Sequence, residues 1–201
     1  MRLFVAIHPP PEALNDLVWM VERLRVGAAA ASGANVRLTA PEDLHLTVVF
    51  IGEVRDDQLP GVRRALDRAA GSWRPPSGTG GSVEVVGVPR LRLGGGGLFG
   101  SATDGVLWVG LRGDVDALHA VSLAARRELS DCEVAQDPRP YAPHVTLARP
   151  GRRLSPEDVE ADRGALDGYL GPSWPVTELA LVRSNPPGHR PRYDRLAAWP
   201  L

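Results

Sequence analysis

Apolar runs along the chain alternate with polar, glycine-rich and proline-rich breaks, and their spacing sorts them into strands and helices. Leu3 to Ile7 is a continuous apolar run of strand length, stopped by Pro9, Pro10 and Pro11. Leu14, Leu17, Val18, Val21 and Leu24 then recur at helical spacing. Gly27 to Gly33 reads as a small-residue loop, and Leu44 to Gly52 as a strand rich in β-branched residues. Asp56 or Asp57 caps a second helix whose apolar face carries Leu59, Val62, Leu66 and Ala69. Gly71 to Gly81 is a loop and Val83 to Val88 a strand. Arg90 to Gly97, which holds four consecutive glycines, reads as an irregular, mobile loop.

Further along, Leu98 to Leu111 has the pattern of a hairpin turning at Asp104-Gly105. Val115, Leu118, Ser122, Ala125 and Leu129 mark a third helix. A loop from Pro138 to Pro143 leads into a strand, His144 to Ala148. Ser155-Pro156-Glu157-Asp158 is a capped helix start with proline at the first position. Thr177 to Arg183 is a strand, Asn185 to Pro191 a loop, and Arg192 to Leu196 a short final strand. Mixed elements with hairpin signals predict an α+β fold whose sheet is largely antiparallel.

One internal echo stands out. His45-Leu46-Thr47 and His144-Val145-Thr146 each follow a proline-containing loop and each open an apolar strand. In a strand, residues i and i+2 project to the same face, so each His shares a face with its Thr while Leu46 and Val48 pack the other way. Two such strands side by side present two imidazoles and two hydroxyls to one cleft. An imidazole titrates near neutrality, so one can act as acid and the other as base. Threonine hydroxyls can donate to non-bridging phosphoryl oxygens. That inventory suits in-line displacement at phosphorus with acid and base on opposite sides.

Composition narrows the setting. The formal net charge is −1 and all 23 basic residues are arginine, so any cationic contact with phosphate comes from a guanidinium. The single cysteine, Cys132, forms no intrachain disulfide and fits a reducing cytoplasm. The start Met1 to Ile7 is too short for a signal sequence, and no apolar run approaches a membrane span. Gly94 to Gly97 lacks the Gly-Lys-Ser/Thr ending of a Walker loop, and no clustered metal-binding motif is present.

The chain resembles the two-histidine phosphoesterases, and within them the bacterial RNA 2′,3′-cyclic phosphodiesterases, or 2′-5′ RNA ligase-like proteins. The resemblance is carried by Met1-Arg2-Leu3-Phe4-Val5-Ala6-Ile7, by Pro41-Glu42-Asp43-Leu44-His45-Leu46-Thr47 with Phe50-Ile51-Gly52-Glu53-Val54, and by Val106 to Leu111. It continues in Pro143-His144-Val145-Thr146-Leu147-Ala148-Arg149, Leu181-Val182-Arg183-Ser184 and Arg190-Pro191-Arg192-Tyr193.

The resemblance implies one bilobed domain over residues 1–201, with one His-x-Thr motif per lobe. Two antiparallel sheets would face a central cleft, with helices outside. It implies hydrolysis of RNA 2′,3′-cyclic phosphate ends to 2′-phosphomonoesters without metal or other cofactor. His45 would be the general acid, His144 the general base, and Thr47, Thr146 and Arg149 the phosphate ligands. The expected setting is a monomer in the cytoplasm, away from membranes. Strand alternation sets Arg149 against that role, since it points Arg149 away from His144 unless the strand bends or ends before Pro150.

Arg190, Arg192 and Tyr193 are candidates for contacts with RNA, with base stacking on Tyr193. His189 sits in the same segment. His8 is expected to cap a strand end, and His119 to be structural. Three other readings stay open: a 2′-5′ RNA ligase, a phosphodiesterase acting on another cyclic or 2′-5′ linked substrate, and a non-catalytic module that binds RNA ends.

Overall fold

The computed structural model describes the chain except residues 75–86, 103, 133, 187 and 189–191, so most of the strand expected at Val83 to Val88, together with His189 and Arg190, lies outside the described residues. The described strands are β1 (Arg2–Ile7), β2 (Arg37–Leu38), β3 (Leu46–Glu53), β4 (Arg90–Phe99), β5 (Val106–Gly113), β6 (Val145–Arg149), β7 (Trp174–Pro175), β8 (Glu178–Ser184) and β9 (Tyr193–Pro200). They form one antiparallel sheet in the order β7-β4-β5-β6-β3-β1-β8-β9, with β2 also paired to β6. The helices are α1 (Pro11–Glu22), α2 (Arg25–Ala31), α3 (Leu59–Ser72), α4 (Val115–Ser130) and α5 (Pro156–Asp167).

The sheet has two halves. β3, β1, β8 and β9 make one, and β6, β5, β4 and β7 the other. Between β3 and β6 the ladder is a single residue pair, Leu46 with Val145. The two expected sheets are therefore joined at their motif strands. Alternation divides the two faces. Leu3, Val5 and Ile7 of β1 enter the main core with the helices, whereas Phe4 and Ala6 turn to the opposite face with Ala180 and Val182 of β8.

The core-side helices are held by their apolar faces. Val62, Ala65, Leu66 and Ala69 of α3 are buried, as are Leu118, Val121, Ala125 and Leu129 of α4. Burying each leucine or valine contributes roughly 1.5–3 kcal/mol. The hydroxyl of Ser122 on α4 donates to the Val48 carbonyl at 3.0 Å, tying that helix to β3.

Three segments differ from the sequence expectation. The small residues of 27–33 predict a loop, but 25–31 form α2, whose alanines favour a helix. Its start is fixed by the buried Asp162 of α5, whose carboxylate accepts from the amides of Arg25 and Val26, both at 2.9 Å. The glycine run is not a loop either: it lies within β4. Close packing explains its composition. A Cβ on Gly96 would sit 2.0 Å from the Arg163 carbonyl oxygen of α5, and one on Gly97 would sit 1.8 Å from the Trp108 ring. The final strand also runs longer than expected, to Pro200.

Candidate active site

Each motif histidine stands just before its strand, on a chain end fixed by its own ring. His45 Nδ1 lies 2.7 Å from the carbonyl oxygen of Asp43, and His144 Nδ1 lies 2.6 Å from that of Ala142. A carbonyl only accepts, so both Nδ1 atoms carry the hydrogen and both Nε2 atoms are left for chemistry. The two bonds span the same two residues and give the two imidazoles equivalent tautomers. Before β3, Pro41–Asp43 forms a short 3-10 turn that delivers Asp43 to this position.

The Leu46–Val145 pairing sets the relation between the motifs. Continued by one residue each way, it places His45 opposite Thr146 and Thr47 opposite His144. The two histidines are then diagonal neighbours across the junction, with Cα atoms on the order of 7–8 Å apart. That spacing brackets one phosphate. All four side chains are partly exposed, while Leu46, Val48, Val145 and Leu147 between and beyond them are buried.

Both strands are irregular immediately after the threonine. Ala6 pairs with Thr47 but Val5 with Val49, so Val48 is an extra residue in β3. Trp108 pairs with Thr146 but Leu107 with Ala148, so Leu147 is an extra residue in β6. In each strand the two residues after the threonine are both buried in the main core. Alternation then returns the fifth residue after each histidine to the cleft face. Those residues are Phe50 and Arg149, both exposed. The bulge supplies the bend that the regular strand pattern denied to Arg149. Phe50 was not foreseen, because a bulge leaves no mark in an unbroken apolar run.

Aromatic rings flank both imidazoles. On one side Phe4 lies 4.8 Å and Tyr193 5.0 Å from His45, centroid to centroid. On the other, Phe99 lies 4.8 Å and Trp108 5.8 Å from His144. His8 extends the group, with its ring 6.3 Å from His45. The register of β1 with β3 could have indicated this proximity, but only once that pairing was known. His119, by contrast, packs against Tyr141 at 5.3 Å on α4, as expected for a structural histidine.

The surroundings set the protonation of the pair. Burial pushes His45 down to about 4, partly offset by its bond to the Asp43 carbonyl, with His8, His144 and Arg192 lowering it further. Burial also lowers His144, against its bond to Ala142. Both rings are neutral at pH 7 in the unliganded site.

Arginines rim the cleft. Arg37 of β2 is the cross-strand partner of Arg149. The Arg192 guanidinium lies 5.4 Å over the Tyr193 ring. Arg2, Arg37, Arg183 and Arg192 line a separate groove of about 940 Å³, together with Asp43 and Glu53 and without any of the four motif side chains. The sequence candidates His45, Thr47, His144, Thr146, Arg149 and Tyr193 thus share one face, with Arg192 at its edge.

The family model described as the 2′-5′ RNA ligase superfamily matches residues 9–187. An Escherichia coli K12 protein named RNA 2′,3′-cyclic phosphodiesterase is 29% identical over 201 residues, covering 100% of this chain and 96% of the relative. A Thermus thermophilus protein of the same name is 29% identical over 213 residues, covering 100% and 90%. A third so named, from Geobacillus stearothermophilus, is 29% identical over 161 residues, covering 80% of this chain and 46% of its own length. Among solved structures, a Thermus thermophilus protein superposes with a TM-score of 0.68 at 28% identity, covering 100% and 98%. Escherichia coli LigT complexed with NADP+ shares the fold, with a TM-score of 0.68 at 22% identity over 100% and 96%.

Proposed function

The chain belongs to the 2′-5′ RNA ligase superfamily, and from that premise we propose that it hydrolyses RNA 2′,3′-cyclic phosphate ends to 2′-phosphomonoesters by histidine acid–base catalysis. The observation that carries this reading is the matched pair of imidazoles, each with Nδ1–H on a carbonyl and each next to the Leu46–Val145 pair that joins the two motif strands.

In the reaction, His144 Nε2 takes a proton from water as its oxygen bonds to phosphorus. The P–O3′ bond breaks on the far side, and protonated His45 gives its proton to O3′. The product is a 2′-phosphate. Thr47, Thr146 and Arg149 hold the equatorial oxygens, where charge grows in the transition state. His45 is neutral in the empty site, and the bound phosphodiester anion supplies the opposite charge that favours its protonation. Its ring-lined surroundings screen that attraction little. The two imidazoles and the arginine suffice for this chemistry without a metal or other cofactor. Phe50, Arg192 and Tyr193 form the rim where the RNA strand leaves the site. The whole is read as one bilobed domain with a motif in each lobe, working as a cytoplasmic monomer. Among the described residues no helix is long and apolar enough to cross a membrane.

The test is product mapping from a dinucleotide ending in a 2′,3′-cyclic phosphate, with EDTA present. A 2′-monoester is expected, and H45A and H144A are each expected to lose at least about a hundredfold in kcat. A 3′-monoester would reverse the leaving group. Tight binding with no product would indicate an RNA-end binding module instead. The assignment of acid and base is separable. H45A should recover most activity on a diester with a p-nitrophenolate leaving group, which needs no proton, whereas H144A should not.

A further inference from the structure

The carbonyl that orients His144 sits on a segment with no regular structure of its own. Residues 134–143 form neither helix nor strand, yet they carry Ala142, whose oxygen holds the His144 Nδ1–H. The segment is fastened to α4 instead. The Arg126 guanidinium reaches from α4 to two of its carbonyls, donating from Nη1 to Asp137 at 2.8 Å and from Nη2 to Arg139 at 3.2 Å. In return Gln136 Nε2 donates to the Arg126 carbonyl at 2.8 Å and to Ser130 Oγ at 3.1 Å. The Asp137 amide donates to the Phe50 carbonyl at 3.0 Å, which joins the same stretch to β3. Asp137, Arg139 and Ala142 each precede a proline, so all three are restricted to extended backbone, and the short run between them is stiff. The other motif has no such dependence on a distant side chain. Its carbonyl, that of Asp43, is placed by backbone bonds of its own turn, from the Asp43 amide to Ala40 and from the Leu44 amide to Pro41.

We propose that Arg126 is a positioning residue for His144: by clamping the carbonyls of Asp137 and Arg139 to α4, it keeps the Ala142 carbonyl against the ring and so keeps Nε2 free of hydrogen. This rests on the reading of His144 as the general base. A neutral imidazole carries its hydrogen on one nitrogen only, and the bond made by one nitrogen sets the state of the other. When the Ala142 carbonyl withdraws, the hydrogen can settle on Nε2, the atom that must accept a proton from water. A guanidinium suits the task, because its planar fork donates to two acceptors at once and its charge strengthens both bonds. The prolines transmit the clamp, since a fixed Arg139 leaves the chain little freedom before Ala142. His45 is indifferent to Arg126, because its own carbonyl is placed by neighbours in sequence.

The experiment follows the tautomers of His45 and His144 by nitrogen-15 NMR, at a pH where both rings are neutral, in wild type, R126A and R126K. The same proteins are assayed for kcat and KM on a dinucleotide ending in a 2′,3′-cyclic phosphate. In wild type both rings carry hydrogen on Nδ1. In R126A His144 becomes a mixture of tautomers while His45 is unchanged, and kcat falls about 10- to 100-fold with little change in KM. R126K keeps the charge but not the fork, so it shows the same change in His144 to a smaller degree, and it decides the matter by the same readouts if R126A does not fold. A His144 that stays on the Nδ1–H tautomer in the variants overturns the proposal, whatever their activity. So does a tautomer change shared by His45, which would mean general loosening, or a changed His144 with kcat intact. A wild type that forms no product overturns the cyclic phosphodiesterase reading instead. In that case a tautomer change confined to His144 would still support the clamp, and its absence would remove it.

Discussion

Arg37 and Arg149 are direct cross-strand partners in the β2–β6 ladder, and neither forms an ion pair with a described carboxylate. Like charges opposite each other are unfavourable in a sheet. An anion between or beside them relieves that repulsion, and the bulge at Leu147 turns Arg149 toward the histidine face where a phosphate would lie. A charge-assisted hydrogen bond contributes about 1.5–3 kcal/mol. R149A should therefore lower kcat/KM for a cyclic phosphate by roughly 10- to 100-fold, with R149K recovering only part because it lacks the planar fork. R37A should cost less activity, and its thermal midpoint should be unchanged or slightly higher. Steady-state kinetics and calorimetry on the two variants check both statements. An R149A enzyme with unchanged kcat/KM would remove Arg149 from the site.

Stability should depend on His45 in acid. Its folded value of about 4 lies below the unfolded value near 6.5, so between those pH values the unfolded chain binds the extra proton. Unfolding free energy then rises with pH through this window. The stabilisation is fully present above about 6.5 and is lost as pH falls toward 4, on the order of 3 kcal/mol for the whole interval. H45F, which cannot take the proton, should show a flatter curve over this range. Denaturant titrations of both proteins at several pH values measure the difference. Parallel curves would mean that His45 is not held neutral by the fold.

The parts of this fold visible in the sequence were those encoded locally. The His-x-Thr pairs could be read because a period of two fixes which side chains share a face, α1, α3 and α4 because their apolar stripes recur at helical spacing, and α5 because Ser155 and Pro156 mark its start. The glycine run could not. Gly96 and Gly97 are dictated by the Arg163 carbonyl and the Trp108 ring, partners far away in the chain, whereas locally four glycines signal a flexible loop. The side facing of Arg149 failed for a related reason. An extra residue at Leu147 is a property of its pairing with β5, not of the order Thr146-Leu147-Ala148. His8 and Phe50 entered the site by the same route, through β1–β3 register.

A methyl group on Gly97 would overlap the Trp108 ring, so G97A forces the indole to move. Overpacking of this kind costs about 1–3 kcal/mol. Because Trp108 lies 5.8 Å from His144, the variant should also show reduced kcat and an altered near-ultraviolet spectrum. G97A combined with W108A should recover much of the stability, since the alanine then has space. A double variant no more stable than the single would show that the glycine serves some other contact.

The histidine pair also predicts the pH dependence of turnover. The limbs of kcat/KM report the essential groups of the free enzyme, and two interacting imidazoles titrate as a pair. Both members lie below the ordinary 6.5, His45 at about 4 and His144 lowered by burial. The acid must be protonated and the base neutral, so the profile is a bell whose two limbs both fall below pH 6.5. The kcat profile reports the bound state, where the phosphate anion favours the imidazolium, and its descending limb should move to higher pH. His8 bears on this directly, since its ring is 6.3 Å from His45 and its charge opposes protonation there. H8N should shift the kcat/KM bell upward. A descending limb of kcat/KM above pH 7 in the wild type would contradict the burial of the pair.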